Sequence, residues 1–333
     1  MNRSPGSVVA QESARITRRT PELVSAGPSD VRAQNRKVIP DMRHPSKAAL
    51  AAIAVASAIV LGATTAPVVG AAPGGAAAAA AKKAKLGMSA PADSWDKRVR
   101  EVGSGLQARR IFLGSFTASL NMPAKACRAG MYPVISFKTG SYTWAQVVHG
   151  KADANLRSMA KKLSALPCNV FVAVHHEPYG DGSPRSWSRM QAHALPLLGA
   201  HKGVKVGVIA NGWWWSKGHH RLSKAQIAKW IPRRVISVSD VIAADTYQSS
   251  VNGEEASVKM KRMAGWARRV GGVKALGIAE FNSPTAIGIT HAVRQLASEP
   301  LFAFGCIWNT TGGIAKVLTG ARLTAFKKAL AGW

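Results

Sequence analysis

The sequence predicts an α/β protein whose folded part is a (β/α)8 or TIM barrel, and three observations carry this prediction. From Leu86 to the last residue, short apolar runs rich in β-branched residues alternate with longer amphipathic segments. Strands that are apolar almost throughout are buried on both faces, which is typical of a parallel sheet covered by helices. Eight such units within roughly 245 residues match the usual size of this barrel.

Eight segments have the composition of strands, and most are followed by a stretch with a helical pattern. In chain order the predicted strands are LGMSA from Leu86, RIFLGSF from Arg110, YPVISFK from Tyr132, NVFVAVHHE from Asn169, KVGVIANGWWW from Lys205, DVIAADTYQ from Asp240, KALGIAEFN from Lys274 and FAFGCIWN from Phe302. Because strand and helix alternate strictly, neighbouring strands are expected to run parallel.

Between the strands, apolar residues recur three and four positions apart, which predicts helices packed against the sheet. The pattern is clearest in SWDKRVREVG, DANLRSMAKKLSAL, SWSRMQAHALPLLGAH, EEASVKMKRMAGWARRVG, THAVRQLASE and, at the end of the chain, LTAFKKALAGW. An open doubly wound sheet is the alternative fold. That fold usually has a Gly-rich turn after its first strand, and neither GxGxxG nor GxxxxGK[ST] occurs there, which favours the barrel.

Three segments precede the barrel domain, which we place at residues 86–333. Residues 1–41 are polar and lack a sustained period, which predicts disorder, or an upstream segment assigned in error with Met42 as the initiator. Residues 42–71 have a basic start, an apolar run and small residues at plausible cleavage points, as in a secretory signal peptide; a membrane anchor is the alternative. Residues 72–85 form an Ala/Gly/Lys linker. We therefore expect a secreted or surface-anchored, extracellular protein.

The net charge of the chain indicates which partners it attracts. The formal net charge is +29, and residues 70–333 alone carry 36 basic and 12 acidic side chains, a difference of +24. Such an excess predicts attraction to anionic surfaces, including cell-wall polymers.

Cys127 and Cys168 precede neighbouring strands 3 and 4, so a disulfide between them is feasible in an exported protein, and Cys306 is expected as a buried free thiol.

Polar and aromatic residues gather where the predicted strands end. In a (β/α)8 barrel the active site is built at these carboxyl ends. Three of the 12 acidic side chains that follow the linker, those of Glu177, Asp245 and Glu280, lie there. The remaining candidates for substrate contacts at these ends are His176, Asn211, Trp213, Trp215, Tyr247, Asn282 and Trp308.

Glu177 and Glu280 end strands 4 and 7, which face each other across an eight-stranded barrel. Two such carboxyl groups about 5 to 5.5 Å apart suit a retaining glycosidase, in which one attacks the anomeric carbon and the other donates and recovers a proton. The nearby tryptophans and Tyr247 offer flat apolar faces on which sugar rings can stack. A carbohydrate site thus accounts for the acids and the aromatics together.

A metal site at His175 and His176 is the competing interpretation of the HHE triplet. Adjacent residues of a strand point to opposite faces, so the two imidazoles cannot easily bind one ion. The cysteines also lack CxxC spacing. We therefore expect neither a metal nor another cofactor.

These residues resemble clan A glycoside hydrolases, most closely glycoside hydrolase family 26, over the whole of residues 86–333. The resemblance implies that Glu177 is the acid/base, Glu280 the nucleophile, and His176 a contact near the sugar 2-hydroxyl. It also implies that Tyr247 bonds to the nucleophile and that Trp308 is a sugar platform. The family commonly has an Arg before the His-Glu pair and an Asn after it, where this chain has Val172, Ala173 and Tyr179.

The sequence as a whole therefore predicts an exported, retaining glycosidase that cleaves β-glycosidic bonds within a polysaccharide. The alternative is a catalytically inactive barrel that binds cell-wall glycan and uses its basic surface for adhesion. We expect a polysaccharide as the substrate, anionic cell-wall polymers as further partners, a monomer, and no nucleic acid partner.

Overall fold

The computed structural model describes residues 83–218, 221–311 and 317–333 of the chain. The predicted segments 1–41 and 42–71, and the linker up to residue 82, lie outside these described residues. Within them, no helix has the length and apolar character that crossing a membrane requires.

Eight parallel strands close into a barrel in chain order, so the predicted fold class is confirmed. The first strand pairs with both the second and the eighth, which completes the ring. The strands are β1 (Lys85–Ser89), β2 (Ala108–Leu113), β3 (Tyr132–Phe137), β4 (Val170–Val174), β5 (Val204–Asn211), β6 (Val241–Tyr247), β7 (Leu276–Asn282) and β8 (Phe302–Trp308).

Helices cover the outside of this barrel. Those of the described ranges are α1 (Trp95–Val102), α2 (Asn121–Arg128), α3 (Trp144–Val148), α4 (Asp153–Ser164), α5 (Pro184–Leu198), α6 (Lys224–Trp230), α7 (Arg233–Val238), α8 (Ala256–Val270), α9 (Ala286–Ser298) and α10 (Gly320–Ala331), with a 3-10 helix, η1 (Gly212–Trp215), directly after β5. Thr143 and Ser223 begin α3 and α6 with reciprocal capping boxes, which satisfy free backbone N–H groups.

The core has two layers, one between strands and helices and one inside the barrel. The inner layer contains Phe171 and Phe304, whose ring centroids lie 5.1 Å apart. Its other members are mostly small or β-branched, because eight strands leave only enough interior space for tightly packed side chains. The inner layer therefore fills the middle of the barrel and forms the floor beneath the carboxyl ends of the strands.

A disulfide joins Cys127 in α2 to Cys168, two residues before β4, with the Cα atoms 5.5 Å apart. It ties the helix that precedes β3 to the loop that leads into β4. Cys306 is a buried free thiol inside the barrel. Both placements agree with the expectations drawn from the sequence.

Candidate active site

A cavity of about 640 Å³ opens at the carboxyl ends of the strands. It brings together most of the predicted site residues and several that the sequence did not single out. Its lining comprises Phe112, His176, Glu177, Trp213, Ser216, Lys217, Asp245, Tyr247, Ser249, Glu254, Lys259, Glu280 and Trp308.

An unusual backbone presents His176 and Glu177 to this cavity. Beyond the end of β4 the chain still follows its neighbours, because His175 N–H bonds to the Phe137 carbonyl (2.8 Å) and Glu177 N–H to the Ile209 carbonyl (2.9 Å). His175 and Glu177 have positive φ values of 51° and 50°. Side chains other than Gly rarely adopt this conformation, and it often marks functional sites. The kink at His175 turns its own ring outward and lets the next two side chains reach the cavity.

A β-bulge in β7 turns the Glu280 side chain into the cavity. In the β6–β7 pairing, Ala244 is opposite Ile278 and Asp245 is opposite Glu280, so Ala279 is an extra residue. Ala279 already belongs to the inner core layer. Strict alternation would point its neighbour outward, and the bulge turns Glu280 inward instead.

Arg110 and Tyr247 hold the carboxyl group of Glu280. Arg110 Nε lies 3.3 Å from Glu280 Oε1, both side chains are almost completely buried, and the Tyr247 hydroxyl donates a short hydrogen bond to Oε2. The guanidinium also lies over the Phe112 ring, 4.0 Å from its centroid. Burial raises the pKa of Glu280, whereas the positive charge of Arg110 and the bond from Tyr247 oppose that rise.

Glu177 has a different environment. Burial raises its pKa to about 7, and the negative charge of Glu280 adds to the rise, while Arg110, Lys138 and a bond from Asn211 oppose it. The Asn211 amide lies 3.4 Å from Glu177 Oε1, and its oxygen accepts from the Tyr179 backbone (3.2 Å). Near neutral pH the site therefore stabilises a proton on Glu177.

Asp245 lines the same cavity and is 3% exposed. Within the described residues neither of its carboxyl oxygens has a hydrogen-bond partner. Burial raises the pKa of Asp245 well above its ordinary value, and the negative charge of Glu280 contributes. Its surroundings therefore favour the protonated form of Asp245.

The two histidine side chains diverge, because the chain has left β4 at this point and kinks at His175. His176 Nδ1 lies 3.1 Å from the Ser136 hydroxyl, and burial together with the charge of Arg110 lowers its pKa to about 2, so the ring is neutral. The His175 ring instead contacts the Trp144 indole N–H (3.2 Å) and Asp181 (2.7 Å). The described residues contain no cluster of three or more side chains suited to hold a metal ion.

The side chains of the three consecutive tryptophans lie in different environments, because these residues belong to η1 and not to a longer β5. The turn begins at Gly212, where a Cβ atom would lie 2.3 Å from the Asp245 carbonyl oxygen. Trp213 lines the cavity and meets Tyr179 edge-on with ring centroids 4.7 Å apart. Trp214 and Trp215 are buried, and Trp215 packs against Trp266. The expected sugar contact at Trp215 is therefore wrong, because its ring belongs to the core.

Asn282 also lies outside the cavity lining. It is 1% exposed, its amide donates to the Trp308 carbonyl (2.6 Å), and its oxygen accepts from Arg322 (2.9 Å). The expectation of a direct sugar contact at Asn282 is thus corrected to a support of the strand that carries Trp308. Asn211 likewise contacts Glu177 and does not itself line the cavity.

Sequence reasoning missed Arg110, Phe112, Lys217, Glu254 and Lys259. An arginine within an apolar strand was the one available signal for Arg110, since a buried charge needs a partner. The other four occupy a strand or the loops and the helix α8 beyond the strand ends, where no pattern in the sequence sets them apart.

No protein-family model matches the sequence, and no curated protein has a matching sequence. Several solved structures share the fold. A GH5_18 protein from Bifidobacterium longum has a TM-score of 0.55 at 14% identity, over 76% of this chain and 80% of that one. Fungal β-1,4-galactanases reach 0.53 at 12% identity, over 74% of this chain and 100% of that one.

A modular endo-β-1,4-mannanase of glycoside hydrolase family 26 from Cellulomonas fimi is also similar, with a TM-score of 0.47 at 16% identity. The match covers 62% of this chain and 55% of that one, so this chain spans about half the length of the mannanase chain. The similarity expected from the sequence is thus confirmed. The fold itself is established by the GH5_18 protein and the galactanases, whose TM-scores exceed 0.5.

Proposed function

We propose that this protein is a glycoside hydrolase that cleaves β-linked polysaccharide by a retaining double displacement. The observation that carries this proposal is the contrast between two carboxyl groups in one aromatic-lined cavity. Glu280 lies against Arg110 and Tyr247, whereas burial and a neighbouring charge raise the pKa of Glu177 to about 7. Pairs of titratable groups with such different environments are typical of acid/base division of labour.

The geometry supports a specific assignment of roles. Of Glu177, Asp245 and Glu280, the carboxyl groups at the strand ends, Glu280 is the one in direct contact with a guanidinium, so it is the group best able to remain ionised. Its carboxylate attacks the anomeric carbon while Glu177 gives its proton to the departing glycosidic oxygen. In the second step Glu177, now ionised, takes a proton from water, which attacks the same carbon and releases Glu280.

The other lining residues suit a sugar. Trp213, Trp308 and Phe112 supply apolar faces, and neutral His176 supplies a polar ring held by Ser136. The fungal β-1,4-galactanases that share the fold act on a β-1,4-linked glycan, which agrees with a β-linked substrate here.

The test compares Glu280→Ala with Glu177→Ala on a polysaccharide that the purified protein hydrolyses. We expect Glu280→Ala to reduce turnover to background, because no covalent intermediate can form. Glu177→Ala should lower kcat by roughly 10²- to 10⁴-fold on a poor leaving group and much less on an activated aryl glycoside. Azide should rescue the first variant with an inverted glycosyl azide and the second with a retained one, as NMR of the products would show.

Glu101→Ala is the matched control, because Glu101 pairs with Arg98 on the surface helix α1 and should leave kcat unchanged. Should both catalytic-site variants keep the turnover of the unaltered protein, the carboxyl pair is not catalytic. Binding of glycan without hydrolysis by the unaltered protein would instead support the inactive, glycan-binding barrel.

A further inference from the structure

One flank of the cavity carries positive charge that the proposed mechanism does not use. Lys259 on α8 and Lys217 in the loop after η1 both line it, together with Ser216 and Ser249. The hydroxyl groups and ammonium groups on this flank can all donate hydrogen bonds. The opposite flank, with Phe112, His176 and Trp308, is aromatic.

Lys259 is the most unusual member of this flank because it is only 8% exposed. Its Nζ donates to the Tyr247 carbonyl (2.5 Å), and among the described residues no acidic side chain lies within the 4.0 Å that defines an ion pair. Lysine side chains are almost never this deeply buried without a counter-charge. Burial lowers the pKa of Lys259, and the negative charge of Glu254 opposes that shift.

Glu254 is the nearest candidate for a counter-charge, and it is already engaged. Its Oε1 accepts from Arg262 (3.0 Å) and its Oε2 from the Lys217 backbone N–H (2.8 Å). These bonds fix the Glu254 carboxylate against α8 and the loop. The Lys259 ammonium is thus held in place by a backbone carbonyl beside the cavity, and no described acidic side chain forms an ion pair with it.

We propose that this flank is a binding site for a carboxylate carried by the substrate, so that the polysaccharide contains uronic acid residues. The inference rests on the proposed function and names its substrate class. A carboxylate has one negative charge and several acceptor sites, which match one buried ammonium and the adjacent hydroxyl groups.

The position and the overall charge agree with this assignment. Lys259 bonds to the backbone of Tyr247, the residue whose hydroxyl group holds Glu280, so the anionic sugar lies next to the ring being cleaved. The net charge of +29 raises the local concentration of a polyanionic substrate and accelerates its encounter with the cavity.

The experiment uses the full-length protein with Glu280→Gln to prevent turnover, and two pairs of hexasaccharides that differ only at C6. One pair is β-1,4-linked mannose and mannuronic acid; the other is β-1,4-linked glucose and glucuronic acid. In calorimetric titrations at low salt, we expect one carboxylated hexasaccharide to bind at least about tenfold more tightly than its neutral partner, the usual size of a charged hydrogen bond.

Lys259→Gln keeps a donor for the Tyr247 carbonyl but removes the charge, and should abolish this preference while leaving the neutral hexasaccharide within about twofold. Lys259→Arg should retain the preference. Lys217→Gln, at an exposed position that tolerates substitution, should reduce it. Lys261→Gln is the matched control, because Lys261 is also on α8 but is exposed and outside the cavity. It removes the same charge and should leave the affinities for both hexasaccharides unchanged.

Equal affinity for the neutral and carboxylated members, no binding of either carboxylated hexasaccharide, or an equal loss of both affinities in Lys259→Gln would overturn the proposal. The two proposals fail separately. If the protein hydrolyses only a neutral hexasaccharide, the proposed glycosidase activity is supported and the proposed carboxylate site is contradicted. The converse result is a carboxylate preference that Lys259→Gln abolishes, together with no hydrolysis by the protein that retains Glu280. It would support the carboxylate site and contradict the glycosidase activity.

Discussion

At the scale of single residues, the site depends on which carboxyl group Arg110 faces. Four carboxyl groups line the cavity, and the buried guanidinium of Arg110 contacts that of Glu280. At Glu177 and Asp245, burial and the negative charge of Glu280 both raise the pKa, and Arg110 opposes the rise only from a distance. This asymmetry allows a proton donor and an ionised carboxylate to coexist in one small volume.

The asymmetry predicts the pH dependence of activity. In the proposed mechanism Glu177 must be protonated for the first step, and its pKa is raised to about 7, so kcat/KM should fall as the pH rises through about 7. In Glu280→Gln the charge that helps to raise this pKa is gone, so Glu177 should lose its proton at lower pH. NMR titration of ¹³C-labelled glutamate side chains measures the pKa of Glu177 in the unaltered protein and in Glu280→Gln. A Glu177 resonance that titrates at the same pH in both proteins would contradict this account.

The sequence located Glu177, Glu280, Tyr247, Trp213 and Trp308 because each follows an apolar run that ends at the same rim. It could not locate residues that reach the cavity from distant segments, and it could not show the backbone features that turn Glu177 and Glu280 inward. The positive φ at His175 and the bulge at Ala279 leave no mark in composition. Lys259 reaches the cavity from a helix, and its burial follows only from the packing of α8 against the barrel.

At the scale of elements, composition identified every strand, but the ends shifted where a turn carries apolar residues. The prediction extended strand 5 to Trp215, whereas β5 ends at Asn211 and η1 follows. Tryptophan suits strands and buried turns equally, so composition cannot separate the two. The helices α3, α6 and α7 have only 5, 7 and 6 residues, too few for a helical period to emerge.

The disulfide between α2 and the loop before β4 should contribute to stability at this scale. It closes a loop with a sequence separation of 41 residues. Removing such a crosslink typically costs ~2–5 kcal/mol, because the unfolded chain regains conformational entropy. Urea denaturation of Cys127→Ala/Cys168→Ala should show a loss in this range. Reductant should destabilise the unaltered protein by a similar amount and leave the double variant unchanged, whereas equal stability of both proteins would contradict the assigned role.

At the scale of the whole molecule, the closed ring of strands determines where the folded domain must begin. The first strand, β1, pairs with β8 from Lys85 to Ser89 and with β2 from Gly87 to Ser89. Closure removes the free edges that an open sheet would expose. The last residue reinforces the junction, since the Trp333 indole N–H donates to the Ala84 carbonyl (2.7 Å).

Two shortened chains should therefore behave very differently. A chain that starts at Lys83 retains both pairings of β1, and we expect it to keep cooperative thermal unfolding and any hydrolytic activity of the full protein. A chain that starts at Ala90 lacks β1, which leaves β2 and β8 as unpaired edges and uncovers the inner layer around Phe304 and Cys306. We expect it to lose cooperative unfolding and to aggregate, as circular dichroism and light scattering would show. If both chains melt at the same temperature, β1 is dispensable and the domain begins later than its hydrogen bonds indicate.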